Sequence, residues 1–395
     1  MNKLNTFAHT EELANLDLVV FSHLRWEFVT QRPQHLVNRI GPGRKVLFVE
    51  EPIPSEPGDT SSYKLIKASK NITILQPKIK ANNWTFELVP VVQEYLNKNG
   101  FNNCIFWFYS ADFLPVLALD HEITVYDCMD ELSAFKGAPK ALIEKEKYLL
   151  KNSDIVFTGG KSLYESKSKL SDNVHCFPSS VDKKHFESAL KKKGLPPHDI
   201  RHLKKPIVGY YGVIDERIDM PLIQQMANEA PEVDFVMIGP VVKISEDEIA
   251  RANNIHYLGG KKYEDLPMYL REFDVAMMPF ALNESTKFIS PTKTLEYMAA
   301  NKPIISTAIY DVVRDYSNVV KIVNDSASFV KEINYYLSEN KSQKAQREKM
   351  QKAIIEKTSW DNTAQSMKKL IAQTYRNICS SYNVYGSPAA NLAYE

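Results

Sequence analysis

Short apolar runs rich in β-branched and aromatic residues recur along the whole chain, and longer stretches of helical period separate them. Such runs between helices are typical of parallel strands that are buried on both faces of a sheet. Two series of these runs, one before and one after residue 200, predict an α/β protein. Its fold would be two doubly wound, Rossmann-like domains that face each other across a cleft. The twelve runs are Leu18–Phe21, Lys45–Val49, Cys104–Tyr109, Ile123–Tyr126, Ile155–Thr158, Val174–Phe177, Ile207–Tyr211, Phe235–Ile238, Ile255–Leu258, Val275–Pro279, Ile304–Thr307 and Val319–Val323.

The chain has 395 residues, which suits two domains with their own cores. A segment rich in lysine and proline, residues 189–205, is predicted to link an N-terminal domain, 1–188, to a C-terminal domain, 206–358. Residues 359–395 would form a helix that packs back towards the N-terminal domain, followed by a loose tail.

Composition excludes several classes of protein. Lys and Arg number 49 against 48 Asp and Glu, so the net charge of +1 argues against a nucleic-acid binder. The four cysteines are scattered singly, so neither a disulfide framework nor a metal site is expected, and a reducing cytoplasm fits. The longest apolar run, about Cys104–Tyr109, is far shorter than the roughly 20 residues that span a bilayer. We expect a cytoplasmic protein, with contact at the inner face of the membrane as an open alternative.

The strongest candidate site is the start of a predicted helix at Ser290. Ser290 suits the N-cap and Pro291 the first helical position, followed by Thr292 and Lys293. A cation there opposes the helix dipole unless a phosphate binds the same helix end. One turn later, Glu296 could accept hydrogen bonds from ribose hydroxyls. The pattern therefore predicts a nucleotide-binding site, although Lys293 and Glu296 could instead form an exposed ion pair.

The run from Pro291 to Ser306 resembles the donor-binding motif of GT-B fold glycosyltransferases, close to glycosyltransferase family 4. Four further segments resemble landmarks of that family in the same order: Asn173–Asp182, Ile207–Gly212, Phe273–Phe280 and Ser359-Trp360. The resemblance implies transfer of a sugar from a nucleoside diphosphate sugar, UDP- or GDP-linked, to a glycan or lipid-linked acceptor in cell-surface polysaccharide biosynthesis. It also implies retention of anomeric configuration, no metal and no permanently bound cofactor.

One position departs from the family pattern. The family carries a second Glu eight residues before the ribose-binding one, and this chain has Phe288 there. Glu284, four residues earlier, could still reach the donor sugar. Two other functions therefore stay open, namely a nucleotide-sugar epimerase of the same fold and a non-catalytic nucleotide-sugar-binding protein.

Two loops of the second domain supply further donor-binding candidates. Gly212 ends a predicted strand, where a glycine lets the backbone approach a pyrophosphate closely. Arg217 follows and could pair with phosphate as a planar fork, or with Glu216 or Asp219 at the surface. Gly260 lies in a loop that borders the nucleobase in similar proteins.

Residues after the first strand are candidates for binding the acceptor or the donor sugar. His23, Arg25 and Trp26 follow that strand, and Arg32 opens the next helix. A Trp face suits the C–H surface of a sugar and an Arg suits a phosphate, although each residue could equally be structural. Asp130, which follows a later strand, could act as a general base or cap a helix.

The stretch Lys64–Phe86 mixes lysines with aromatic residues. Such a stretch could contact an anionic membrane beside a lipid-linked acceptor. The alternative interpretation is a solvated surface of the first domain.

Overall fold

A computed structural model describes residues 13–385 except 14, 56–59, 81–83, 192–193 and 204–205. Its first sheet has nine strands in the order β3-β5-β2-β1-β6-β7-β8-β9, with β4 paired to β5. All pairs are parallel except β4 with β5. The strands are β1 Asp17–Ser22, β2 Val46–Glu50, β3 Ile53–Pro54, β4 Ser62–Lys67, β5 Ile72–Ile79, β6 Cys104–Phe108, β7 Ile123–Cys128, β8 Ile155–Thr158 and β9 Val174–Cys176.

The second sheet has six parallel strands in the order β12-β11-β10-β13-β14-β15. These strands are β10 Ile207–Tyr211, β11 Asp234–Ile238, β12 Ile255–Tyr257, β13 Val275–Met278, β14 Ile304–Thr307 and β15 Lys321–Val323. Both sheets are therefore of the parallel, doubly wound type, and the predicted fold class is confirmed.

Helices and short 3-10 turns connect the strands. The helices are α1 Arg32–Ile40, α2 Trp84–Lys98, α3 Ala141–Asn152, α4 Lys161–Lys167, α5 Lys183–Glu187, α6 Met220–Glu229, α7 Leu266–Glu272, α8 Thr292–Ala299, α9 Tyr310–Tyr316, α10 Ser326–Leu337, α11 Lys341–Ile355 and α12 Trp360–Tyr385. The 3-10 turns are Ala111–Ala118, Leu132–Ala134, Ser188–Leu190, Glu246–Glu248, Tyr263–Asp265 and Glu284–Thr286. In the part of the chain that the structure describes, no helix is both long and apolar enough to cross a membrane.

Helices on both faces explain why the central strands are buried throughout. Every residue of β2, β6 and β7 is buried, because side chains on each face of these strands meet a covering layer. In β1, Val20 lies between Phe48 of β2 and Trp107 of β6. Each of the twelve predicted runs overlaps a strand, so apolar continuity identified the parallel core.

The hairpin of β4 and β5 was not predicted. Leu75 is fully buried and packs in the core of the first domain, although lysines surround β5 in the sequence. Lys64 and Lys78 are exposed, because alternate residues of this pair face solvent. The side chains of Trp84 and Phe86 lie outside the described residues, and membrane contact stays a prediction.

The chain passes between the two domains twice, at neighbouring places. Val181 and Phe186, which the predicted boundary at residue 188 assigns to the first domain, pack in the core of the second sheet. Trp360 begins α12 and is buried in the core of the first domain. The hydroxyls of Ser180 and Thr363 lie 2.7 Å apart, so a hydrogen bond joins the two crossing segments.

Four rings pack against one another where these segments cross. The ring of His35 on α1 is stacked on Trp360, with centroids 4.9 Å apart, and meets Tyr263 edge-on at 5.5 Å. Tyr263 in turn is stacked on His185 at 4.2 Å. These four residues, called the hinge cluster below, connect the first domain, both crossing segments and the second domain.

A second contact between the domains caps a helix. Asp311, at the start of α9 in the second domain, accepts hydrogen bonds from the backbone N–H groups of Lys161 and Ser162, at 3.2 and 3.3 Å. These N–H groups begin α4 in the first domain, and no side chain of α4 caps them. Arg314 on α9 also pairs with Glu165 on α4 at 3.0 Å. A carboxylate at a helix N-terminus is stabilising, so this contact holds the domains together.

Acidification should destabilise the protein through His35. Burial lowers the pKa of His35 from 6.5 to about 3, and the positive charge of Arg39 acts in the same direction. Between these values the unfolded chain binds more protons than the folded one. The stabilisation is therefore complete above the unfolded pKa and is lost as the pH falls, by up to about 1.4 kcal/mol per pH unit. Urea unfolding from pH 7 to pH 5 should show this loss.

The variant His35→Phe keeps a ring in the stack but cannot bind a proton. Its free energy of unfolding should depend less on pH than that of the wild type. The control His198→Asn changes an exposed histidine and should keep the wild-type slope. Equal slopes for wild type and His35→Phe would show that His35 does not carry the effect.

Candidate donor-binding site

A cavity lies at the carboxyl ends of the strands, between the two domains. This edge of doubly wound sheets is where such folds bind ligands. The first domain contributes Val29, Thr30, Gln31, Arg32, Met129, Asp130, Gly159 and Ser179. The second contributes Tyr210, Tyr211, Gly212, Val213, Arg217, Ile238, Gly239, Pro240, Lys261, Tyr263, Leu266, Phe280, Ile289, Ser290, Pro291, Thr292, Lys293 and Glu296.

Helix α8 begins at this cavity, one residue later than the sequence pattern predicts. Pro291, with an extended ψ of 121°, occupies the N-cap, and no side chain caps the helix. The prediction of Ser290 as N-cap is therefore wrong, because Pro291 stays outside the helix. The Ser290 carbonyl instead accepts a hydrogen bond from the Ser179 hydroxyl at 2.7 Å. Thr292 and Lys293 thus supply the first N–H groups of α8 beside the cavity, as an anion site requires.

A glycine makes room for the side chain of Lys293. A Cβ on Gly212, whose φ is +144°, would lie 2.2 Å from Lys293 Cε. Behind it, a Cβ on Gly239, whose φ is +149°, would lie 1.8 Å from the Gly212 carbonyl oxygen. The ammonium of Lys293 lies 5.7 Å from the centre of the Tyr210 ring. Burial lowers the pKa of Lys293 and the charge of Glu296 opposes this, so an incoming anion would meet a poorly solvated cation.

Glu296 is a buried residue of α8 and not half of an exposed ion pair. Its side chain lines the cavity, and the residue is 9% exposed. The Tyr211 hydroxyl donates a hydrogen bond to Glu296 Oε2 at 2.9 Å. Burial raises the pKa of Glu296, whereas Lys293 and hydrogen bonds from the Tyr211 and Thr292 hydroxyls oppose that shift. Two hydroxyls thus hold the carboxylate beside a space that a ligand can enter.

Arg217 lines the same cavity, with a partner that sequence reasoning missed. Its Nε and Nη2 donate hydrogen bonds to the two carboxylate oxygens of Asp215, at 2.9 and 2.7 Å. Asp215 is 4% exposed and fixes the guanidinium, which lies over the Phe135 ring at 5.2 Å. The Nη1 atom is not used by Asp215 and suits a phosphate oxygen. Asp219, a predicted alternative partner, instead caps α6 through the Leu222 N–H.

Asp130 reaches the cavity from the first domain. Burial raises the pKa of its carboxyl group, and the charges of Arg217 and Arg32 oppose that shift. Asp130 and Glu296 are the carboxylates among the described lining residues. The first domain therefore contributes a carboxyl group to the cavity that Arg217 and Lys293 of the second domain line.

The two arginines predicted to bind the acceptor already have protein partners. Arg32 Nε donates to both oxygens of Asp127 at 3.0 Å, and its Nη1 donates to the Phe177 carbonyl at 2.7 Å. Arg25 pairs with Glu50 at 3.1 Å. Arg32 still lines the cavity, whereas Arg25 does not. Both arginines are held by carboxylates of neighbouring strands, so their charges are largely neutralised.

Four other predicted residues lie outside the lining of this cavity. His23 has a buried Nδ1 with no hydrogen-bond partner among the described residues, and burial lowers its pKa to about 4. Trp26 packs edge-on against Phe48 at 5.0 Å. At Gly260, the atom nearest to an added Cβ would be Pro240 Cδ, 3.9 Å away. The fourth, Glu284, has a side chain that is 81% exposed.

The position that departs from the family pattern has a structural role. Phe288 packs against the apolar core of the first domain. Glu284 pairs with Lys287 at 3.8 Å and lines a separate groove at the domain boundary. The structure thus brings neither residue to the donor cavity.

Two doubly wound domains with a cavity between their strand ends form the GT-B fold, and residues 207–339 match the family model of Glycosyl transferases group 1. The second domain of this chain therefore resembles that group.

Particular relatives agree with this class. The chain is 25% identical over 242 residues to TuaH of Bacillus subtilis (strain 168), a candidate teichuronic acid biosynthesis glycosyltransferase. That match spans 56% of this chain and only 60% of the relative. A sucrose-phosphate synthase from Thermosynechococcus elongatus has a similar structure, with a TM-score of 0.66, 16% identity, and coverage of 93% of this chain and 100% of that chain.

A structure from E. coli described as trehalose-6-phosphate bound with UDP-2-fluoro glucose is also similar. Its TM-score is 0.65 at 13% identity, over 91% of this chain and 99% of that one. At these identities the two structures support the shared fold.

Proposed function

We propose that this protein is a glycosyltransferase that moves a sugar from a nucleoside diphosphate sugar to a glycan or lipid-linked acceptor in cell-surface polysaccharide biosynthesis. One observation carries the proposal: Lys293, Arg217 and Glu296 line a single cavity at the uncapped start of α8. The match to the group 1 model and the description of the Bacillus subtilis relative support it.

The donor, UDP- or GDP-linked, would bind to the second domain. Its diphosphate would accept hydrogen bonds from Lys293, Arg217 and the first N–H groups of α8. Glu296 would accept hydrogen bonds from the ribose hydroxyls. When the bond between the anomeric carbon and the phosphate oxygen breaks, its electron pair stays on the diphosphate. The two cations would stabilise that charge, so the step needs no metal.

The acceptor would bind to the first domain where Arg32 and Asp130 line the cavity, whereas His23, Arg25 and Trp26 lie outside that lining. Its hydroxyl would attack the anomeric carbon beside Asp130. By the resemblance to group 1 glycosyltransferases, we expect the leaving phosphate to take the proton from the acceptor hydroxyl and the configuration to be retained. Closure of the domains would exclude water from the reacting atoms.

A thermal-shift experiment tests the donor site. UDP, GDP, ADP and TDP should be compared, and one of them should stabilise the wild type. A ligand at 100 times its dissociation constant contributes about 2.7 kcal/mol. Glu296→Ala should lose that response, because the ribose hydroxyls lose the carboxylate to which they donate hydrogen bonds. The control Glu264→Ala, which removes an exposed carboxylate nearby, should keep the response. A wild type that responds to none of these nucleotides would contradict the proposal.

Product analysis separates the alternatives. A glycosyltransferase makes product only when an acceptor is present. An epimerase would convert the donor sugar without one. A non-catalytic protein, which Phe288 at the family's Glu position would favour, would bind nucleotide and form no product.

A further inference from the structure

Tyr263 lines the donor cavity, and its phenol has no hydrogen-bond partner in the part of the chain that the structure describes. The residue begins a 3-10 turn after β12. Its hydroxyl oxygen is buried. A buried O–H group without a partner costs free energy, so native proteins nearly always satisfy such groups. A ligand in the cavity would satisfy this one.

The ring of Tyr263 is held firmly in place. His185 stacks on one face at 4.2 Å with an interplanar angle of 12°, and Phe186 meets the ring edge-on at 5.8 Å. The ring of His35 lies 5.5 Å away. These contacts fix the position of the hydroxyl before any ligand binds, and such preorganisation favours binding.

Glu296 identifies the part of the ligand that the phenol would meet. Tyr263 and Glu296 line the same cavity. Burial raises the pKa of Tyr263, and the negative charge of Glu296 acts in the same direction. No hydrogen bond joins these two side chains, and the Glu296 carboxylate accepts hydrogen bonds from the hydroxyls of Tyr211 and Thr292. A donor that fits between Tyr263 and Glu296 must offer polar atoms to both, as a ribose with two adjacent hydroxyls does.

We infer that the Tyr263 hydroxyl hydrogen-bonds the ribose of the donor nucleotide, beside Glu296. This inference rests on the proposed function, because it assumes that a nucleoside occupies the cavity. It also gives the hinge cluster a binding role, since Tyr263 belongs both to that cluster and to the donor site.

The variant Tyr263→Phe removes the hydroxyl and keeps the ring. The nucleoside diphosphate that shifts the wild type, and its 2′-deoxy and 3′-deoxy analogues, should be titrated by calorimetry. The variant should bind the parent nucleotide roughly 10-fold more weakly. With the analogue that lacks the contacted ribose hydroxyl, wild type and variant should bind equally, because the partner of the phenol is absent.

Two further measurements complete the test. Tyr257→Phe removes a hydroxyl that donates to the Ala250 carbonyl at 3.1 Å, outside the cavity lining, and should leave nucleotide affinity unchanged. Without ligand, Tyr263→Phe should unfold at the wild-type temperature or above it, since no protein hydrogen bond is lost. A lower unfolding temperature would indicate a buried water as the partner and overturn the inference.

The outcomes distinguish the inference from the proposed function. A wild type that binds no nucleotide refutes the proposed function itself. A wild type that binds, with Tyr263→Phe equal to it, refutes only the role of Tyr263. An equal loss for the parent and both deoxy analogues would overturn the assignment to the ribose.

Discussion

Replacing Lys293 by Met should lower the rate of sugar transfer on the order of 10²- to 10³-fold, as losing one preorganised charge at an oxyanion does elsewhere. Met has a similar length and keeps the apolar stem that passes Gly212, so the change removes mainly the charge. The leaving diphosphate would lose a cation that is already poorly solvated. Steady-state kinetics with saturating donor would show the loss in kcat.

The control is Lys262→Met, an exposed lysine on the loop after β12. It should retain wild-type kcat. The unfolding temperature of Lys293→Met should stay close to that of the wild type, which excludes a folding defect. A Lys293→Met enzyme with unchanged kcat and KM would show that this side chain does not meet the diphosphate.

Gly239→Ala should destabilise the protein by about 3 kcal/mol or more, the range of backbone strain combined with steric overlap. Its φ of +149° disfavours any side chain, and the new Cβ would lie 1.8 Å from the Gly212 carbonyl oxygen. Relief of this overlap requires Gly212 to move, and the Lys293 side chain packs directly against Gly212. Urea unfolding should show the lost stability of the variant. Thermal-shift measurements should show that nucleotide stabilises the variant less than the wild type.

Gly260→Ala is the matched control one loop away. Its new Cβ would have no neighbour closer than 3.9 Å. Its free energy of unfolding should stay within about 0.5 kcal/mol of the wild type, as surface substitutions usually do. Equal stability for Gly239→Ala and Gly260→Ala would contradict the steric argument.

The fold could be predicted from sequence wherever apolar residues run continuously. Strands such as β6 are buried on both faces, so their consecutive residues are apolar and stand out in the sequence. Strand β5 escaped prediction because its buried residues alternate with Gln76 and Lys78 and include Pro77. The register of β4 against β5 depends on pairing that the local pattern does not reveal.

The site was predictable where its residues are neighbours in the chain. Lys293 and Glu296 lie one turn apart, and the chemistry of a helix end is local. Arg32 is different, because its partner Asp127 lies 95 residues away. A sequence shows an arginine after a strand but not the carboxylate that neutralises it. Tyr263 gave no signal either, because its importance arises from rings that only the tertiary fold assembles.

The two crossing segments, joined where Ser180 meets Thr363, restrict how the molecule can open. Two covalent connections side by side permit rotation about the line through them. They resist sliding and twisting, which would stretch one connection against the other. We therefore expect the cavity to open by a motion close to one degree of freedom, described by a single angle. Because Tyr263 stacks on His185 beside that axis, a nucleotide held by Tyr263 would bind where the two domains move least relative to each other.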